Sequence, residues 1–407
     1  MDKIRVGVIG IGQRGICHVI ASLCPREDAI ITYVCDLYED RARWGVHETE
    51  FYAGNTPKWT LNYREVIESP EVDVVIVASS WDNHIPAAVY AMECGKPVGI
   101  EAGGAYSVDD CWKLVNTYEK TGIHCMMLEN CCYDRRELMV MQMVRDGLFG
   151  KIVHCEGGYQ HDLRDEITEG EERRHYRLRN YQNRNCDTYP THAIGPLAKT
   201  MNINRGNRMI KLSSMASGAW GLNEYAKNHD NIPAELQTYR FCQGDIVRTN
   251  ILCAHGETIS LILDTSLPHY YSRNYTIRGT KGYMEESRQV LYYDDMKPDE
   301  DGKRRARPYW EFYEEFDHPI WKYFQENGVK GGHGGIDWLI FDAFFTALHD
   351  NEVPPIDTYD TAAWMAITPL SEISIANGSM PVDFPDFTRG MWTHRADKNT
   401  GFYSLDR

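Results

Sequence analysis

A short apolar run over residues 3–9 ends in Gly10-Ile11-Gly12-Gln13-Arg14-Gly15 and passes directly into a helical pattern through Ile16, Val19, Ile20 and Leu23. Strand, glycine-rich turn and helix in that order leave few folds open to the chain. The glycines serve a tight turn, close backbone approach to a pyrophosphate, and helix–strand packing. The start of the helix then offers its N–H groups to the phosphates. A second β-rich run, residues 30–35, ends at Asp36, which lies 21 residues beyond Gly15. An acid there accepts hydrogen bonds from ribose hydroxyls and repels a 2′-phosphate, so NAD is expected rather than NADP.

Strand and helix patterns continue to alternate. Residues 72–79 form a near-continuous apolar run, as in a parallel sheet buried on both faces. Residues 96–100 and 124–128 repeat the signal and end at Glu101 and at Glu129-Asn130. Trp81, His84, Glu101 and Asn130 therefore sit at or just beyond the carboxyl ends of strands, the edge where open α/β sheets hold ligands. These features predict an α/β fold, with a Rossmann dinucleotide-binding domain over residues 1–130.

Beyond residue 130 the pattern changes. A helix is expected over 135–145, then alternating strands at 151–159, 210–215, 235–241, 246–253, 258–265 and 274–278, separated by Gly and Pro. Helices follow at 336–350 and 361–376. Residues 131–407 thus read as an α+β substrate domain with a largely antiparallel sheet. Residues 296–307 are highly charged and read as an exposed loop, and Gly331-Gly332-His333-Gly334-Gly335 as a flexible one. Within this half Tyr189 and His192 stand three residues apart, a spacing that puts a phenol and an imidazole on one face of a turn or first helical turn. Both can move protons. Tyr159, His161, Arg164, Arg177, Arg179, Tyr270, Tyr271 and Arg273 are further polar or aromatic residues at strand ends or in polar stretches.

Composition excludes several classes. A net charge of −16 argues against nucleic-acid and anionic-membrane partners. No apolar stretch of about 18 residues is present, so no membrane span is expected. The start of the chain runs straight into a strand pattern and leaves no room for a signal peptide. The 12 cysteines are irregularly spaced, with Cys131 and Cys132 adjacent, and read as reduced, mostly buried thiols of a cytoplasmic protein. His161 and His192 lack further ligands at zinc spacing, so no metal site is expected.

The N-terminal third resembles the glucose-fructose oxidoreductase, inositol dehydrogenase and MocA superfamily. Five further segments are similar to glycoside hydrolase family 109. They are Met127-Leu128-Glu129-Asn130-Cys131-Cys132-Tyr133, Glu156-Gly157-Gly158-Tyr159-Gln160-His161-Asp162-Leu163-Arg164, Tyr189-Pro190-Thr191-His192, Met201-Asn202-Ile203-Asn204-Arg205-Gly206-Asn207 and Val382-Asp383-Phe384-Pro385-Asp386-Phe387. The resemblance runs from Gly10 to about residue 389 and implies an NAD-dependent glycosidase of the alpha-N-acetylgalactosaminidase type. It implies that Gly10, Gly12, Arg14, Gly15, Asp36, Trp81, His84, Glu101, Ala102 and Asn130 hold NAD. It further implies that Tyr159, Arg177, Tyr189, Pro190, Thr191, His192 and Tyr271 contact a carbohydrate substrate, and that the enzyme is a homo-oligomer. Tyr159, Tyr189 and His192 are the expected catalytic residues, in a cycle of C3 oxidation, C2 proton removal, C1 elimination, water addition and hydride return.

Two departures from the pattern stand out. Many superfamily dehydrogenases carry Glu-Lys-Pro after the fifth strand, with the lysine in the active site. This chain has Glu101-Ala102-Gly103 there, which weakens the reading as an ordinary dehydrogenase. Many family 109 members carry an export signal, and none is recognised here. The competing expectations are a conventional NAD-dependent sugar or polyol dehydrogenase and a non-catalytic sugar or NAD sensor.

Overall fold

The structure is a computed structural model that describes residues 3–395 and 398–406. Met1 and Asp2, part of the start of the chain read above for a signal peptide, lie outside the described residues. The chain divides into two compact units, residues 1–133 with 322–363 and 396–407, and residues 134–321 with 364–395. The division expected at residue 130 follows the chain, whereas the first unit also takes two later segments.

The first unit is built on a six-stranded parallel sheet. Its strands are β1 (Ile4–Ile9), β2 (Ala29–Cys35), β3 (Lys58–Thr60), β4 (Val74–Val77), β5 (Val98–Ile100) and β6 (Cys125–Met127), in the order β3-β2-β1-β4-β5-β6. The order reverses between β1 and β4, the switch point at which such sheets open a ligand crevice. All four residues of β4 are buried, which is why its sequence is continuously apolar. The exposed edge of β6 is blunted by side chains of a later helix, Thr358–Ala376. Backbone N–H groups of Cys125 and Met127 donate to Thr358 Oγ1 at 3.0 Å and Thr361 Oγ1 at 3.1 Å.

The second unit holds a nine-stranded sheet. Its strands are β7 (Ile152–Gln160), β8 (Met209–Ala216), β9 (Ile246–Cys253), β10 (Thr258–Asp264), β11 (Thr276–Gly279), β12 (Gly282–Glu285), β13 (Val290–Tyr293), β14 (Arg307–Pro308) and β15 (Val382–Asp383). The order is β14-β13-β12-β11-β7-β10-β9-β8-β15. Pairing is antiparallel except between β7 and β10, which run parallel. Buried and less buried residues alternate along β9, the mark of a sheet with one wet face.

The strand expected at 235–241 is instead a short 3-10 turn, Ala234–Gln237, entered from Pro233. The Asn223 side chain takes the carbonyls of Leu236 and Tyr239 at 2.8 and 2.9 Å, so these groups are not offered to a neighbouring strand. None of the 12 cysteines forms a disulfide among the described residues, and all but Cys17, Cys94 and Cys242 are buried. No helix among the described residues is long and apolar enough to cross a membrane.

One close approach positions the second unit's aromatic cluster. A Cβ built on Gly157 would lie 2.9 Å from the Ala193 Cβ and 3.0 Å from Leu197 Cδ1, so the helix Thr191–Thr200 rests on bare backbone of β7. Residues 157, 159 and 161 share a strand face, which sends Tyr159 and His161 out beside the start of that helix. Gly157→Ala should push the helix off the strand and lower stability by about 1–3 kcal/mol in urea unfolding.

Candidate functional site

In the first unit, the Gly10–Gly15 turn is shaped as a phosphate cradle. A Cβ on Gly15 would lie 1.9 Å from the Gly10 carbonyl oxygen, and one on Gly10 would strike the backbone of Ala78 and Ser79. At Gly12 a Cβ would meet only Arg41 Nη1, at 3.7 Å, so that face of the turn is open to a ligand. Asp36 is buried and accepts N–H bonds from Ile11 at 2.7 Å and Tyr38 at 3.0 Å. These bonds aim a carboxylate at the end of β2, where its remaining lone pairs suit ribose hydroxyls.

Arg14 leaves the same turn and reaches the end of β5. Its Nε donates to Glu101 Oε1 at 3.0 Å, and His18 Nε2 bonds the same oxygen. Burial acts to raise the Glu101 pKa, but the charges of Arg14 and then His18 outweigh it and hold the carboxyl down at about 2. Ala102 N–H donates to Glu101 Oε2 at 3.1 Å. Gly103 lies flat against the Trp81 indole, where a Cβ would sit 2.4 Å from Trp81 Cδ1. His84 is buried, and its Nε2 bonds the Ser79 carbonyl at 2.9 Å. Burial drives the His84 pKa down.

Two residues that the sequence reading left unassigned join this group. Asp337 accepts Arg14 Nη1 at 2.9 Å, Arg14 Nη2 at 2.7 Å, Asn130 Nδ2 at 2.6 Å and His333 Nδ1 at 2.7 Å. Arg14 and Asn130, both expected at the cofactor, thus meet on one carboxylate. The signal in the sequence was the Gly331–Gly335 run itself, which folds into an ordered 3-10 turn, His333–Gly335, rather than an unattached loop.

In the second unit, Tyr159, Tyr189, His192, His161 and Tyr271 form one aromatic cluster. Ring centroids lie 4.6 Å apart for Tyr159–Tyr189, 4.8 Å for Tyr189–His192 and 5.6 Å for Tyr159–His192. Tyr189 Oη lies 3.5 Å from His192 Nε2, and Tyr159 Oη lies 3.3 Å from His161 Nδ1. The expected spacing of Tyr189 and His192 is realised across a helix start: Tyr189 precedes the N-cap Pro190, and His192 is in the first turn. Thr191 is fully buried there. Tyr271 closes the cluster, 5.3 Å from His161 and 6.4 Å from Tyr159, and is half exposed. Arg273, two residues on, anchors that segment by donating to Asp134 at 2.8 Å, and it pairs with Glu137 at 2.7 Å.

Arg177 is buried beneath the phenols. Its Nε pairs with Glu166 Oε1 at 2.6 Å, and its guanidinium lies 5.3 Å from the Tyr189 ring centre. Burial acts to lower its pKa, but Tyr159 and then Glu166 outweigh that and raise it. The cluster therefore contains a fixed positive charge. Burial and then the Arg177 charge lower the His161 pKa, leaving that imidazole neutral near pH 7. Glu166, like Asp337, was not singled out in the sequence.

The C-terminal part, residues 133–394, matches the family model for the glycosyl hydrolase 109 C-terminal domain, and residues 4–129 match the oxidoreductase family with an NAD-binding Rossmann fold. The chain belongs to glycosyl hydrolase family 109. An alpha-N-acetylgalactosaminidase of Tannerella forsythia is 38% identical, with 96% of this chain and 88% of that protein covered. An alpha-N-acetylgalactosaminidase of Shewanella oneidensis is 36% identical over 97% and 87%. Among solved structures, a levoglucosan dehydrogenase in complex with NADH and levoglucosan has a TM-score of 0.69 at 20% identity, covering 95% of this chain and all (100%) of that one. A myo-inositol 2-dehydrogenase from Lactobacillus plantarum gives 0.65 at 14%, covering 94% and 100%. At these identities the likeness establishes the fold. The protein is a family 109 enzyme with a nicotinamide dinucleotide-binding domain.

Asp187, two residues before Tyr189, is buried, and Thr249 and the Tyr189 backbone bond its carboxyl. Burial overrides those bonds and raises its pKa to about 7. The folded state then holds a proton that the unfolded chain releases near pH 4. The associated stability is complete below about pH 4 and is lost as pH rises through about 7. Asp187→Asn should therefore gain stability relative to the parent between pH 5 and pH 8 in paired thermal melts. Equal shifts at both pH values would show Asp187 to be ionised throughout.

Proposed function

We propose that this family 109 enzyme is an NAD-dependent glycosidase that removes a terminal N-acetylhexosamine, alpha-linked N-acetylgalactosamine first among them. One observation carries the reading: a buried guanidinium lies under a cluster of two phenols and an imidazole, in a chain whose other unit is a nicotinamide dinucleotide fold. The alpha-N-acetylgalactosaminidase relatives, 36–38% identical, supply the sugar. The Gly12 opening and the fixed Asp36 carboxylate fit NAD, and the acid disfavours a 2′-phosphate.

A bound nicotinamide supplies the acceptor, and later the donor, for the hydride of sugar C3. Tyr189 or His192 takes the proton of the C3 hydroxyl, their 3.5 Å separation letting either hold it. Tyr159 takes the C2 proton, which is acidic once C3 is a ketone, and the C1 substituent leaves by elimination. Water adds its hydroxyl at C1, its other proton balancing the one the departing alkoxide takes up, and Tyr159, once exchanged with solvent, returns a proton to C2. The buried Arg177 guanidinium, 5.3 Å from the Tyr189 ring centre, sets a fixed positive charge beside the reacting sugar. Tyr271, half exposed at the rim of the cluster, stacks on the sugar. Net chemistry is hydrolysis without net oxidation.

Cleavage in deuterated water should place deuterium at C2 of the released sugar, and an S-linked glycoside should also be cut. Hydrolysis with protium retained at C2 would overturn the elimination route. Tyr159→Phe and Tyr189→Phe should each lower kcat by about 10²–10⁴-fold. NADH absorbance should not accumulate during turnover; stoichiometric NADH from a free sugar would instead mark a conventional dehydrogenase.

A further inference from the structure

The segment Gly331–Asp337 lies more than three hundred residues from the glycine-rich turn in the sequence, yet it bonds to the one cationic side chain of that turn. The positive φ of His333, 51°, lies between glycines at 85° (Gly331) and at 68° and 103° (Gly334 and Gly335), so the backbone is bent tightly to present this side chain. The helix that follows, Ile336–His349, is seated on the turn's own helix, with Phe341 edge-on to His18 at 5.0 Å.

The charges make the arrangement unusual for a phosphate site. Arg14 is matched by two carboxylates, Glu101 and Asp337, so its charge is already more than balanced. A pyrophosphate seated on the open side of Gly12 would meet the helix N–H groups and gain little from a guanidinium already claimed by two carboxylates. His333 Nδ1 lies 2.7 Å from Asp337 Oδ2, which only accepts, and 3.1 Å from Arg14 Nη1, so the ring can donate to the carboxylate and through Nε2 together only as the imidazolium, in which both nitrogens carry hydrogen. Nε2 of that ring has no protein partner among the described residues, and the side chain is 62% exposed. The imidazole is thus oriented by a carboxylate with its second nitrogen left for a ligand, while Asp337 ties the turn to Asn130 beyond β6.

We propose that His333 and Asp337 belong to the dinucleotide site, the His333 imidazolium donating through Nδ1 to Asp337 and through Nε2 to the pyrophosphate, and Asp337 fixing His333, Arg14 and Asn130 around it. His333 is then a binding residue and Asp337 a positioning residue. The proposal rests on the reading of the enzyme as NAD-dependent.

The full chain, freed of nucleotide, would be titrated with NAD⁺ and with ADP-ribose by calorimetry. His333→Ala should weaken both by about tenfold, because the lost contact is to the pyrophosphate they share. The melting temperature of the nucleotide-free variant should match the parent, and its rise on adding NAD⁺ should shrink. Asp337→Asn should weaken both ligands at least as much. If that variant does not fold, His333→Ala decides alone, since its side chain is mostly exposed. NAD⁺ and ADP-ribose bound as tightly by His333→Ala as by the parent would overturn the assignment and leave the glycosidase reading standing. A parent chain that takes up no NAD⁺ would overturn both.

Discussion

A guanidinium taken out of water must be paired or its burial costs several kcal/mol. Arg177 meets that requirement through Glu166, and the pairing settles much of the second unit's local geometry. Glu166 lies in the short helix Arg164–Thr168 and Arg177 opens the helix Arg177–Asn183, so one ion pair joins the two. The aromatic cluster is then built over a charge that cannot move away.

The first unit meets a similar problem in the opposite way. Arg14 sits where a phosphate site would use an unpaired cation, and two carboxylates claim it. Its function is consequently geometric: a rigid fork joining the glycine turn, the end of β5 and a late segment of the chain. Glu101 is the point where this matters for the family comparison. The lysine that follows the equivalent glutamate in many related dehydrogenases is Ala102 here, and at Gly103 the Trp81 indole occupies the space a larger residue would need.

What could be read from the sequence was whatever lies close along it. The glycine turn, Asp36 at the end of β2, and Tyr189 with His192 are local patterns, and each arises from a single strand–turn or turn–helix unit. The paired strands of the second sheet were also visible, because alternation reflects one wet face. Asp337 and Glu166 were not legible, since their partners, Arg14 and Arg177, are identified only once the chain has folded. The misread segment at 235–241 has the same origin: its β-like residues are overruled by Asn223, a side chain from another helix. Propensity gave way there to a tertiary hydrogen bond.

The one parallel pair in the larger sheet has a bearing on how the protein is made. β7 carries Tyr159, yet both its neighbours, β10 and β11, come about a hundred residues later in the chain. While the polypeptide emerges from the ribosome, that strand has both edges open and no mate to close them. Its ladder is complete only once synthesis passes Gly279. The strand that carries one of the proposed proton-transfer groups is therefore also one that stays unpaired for much of biogenesis, where slowed elongation would leave both its edges open longer.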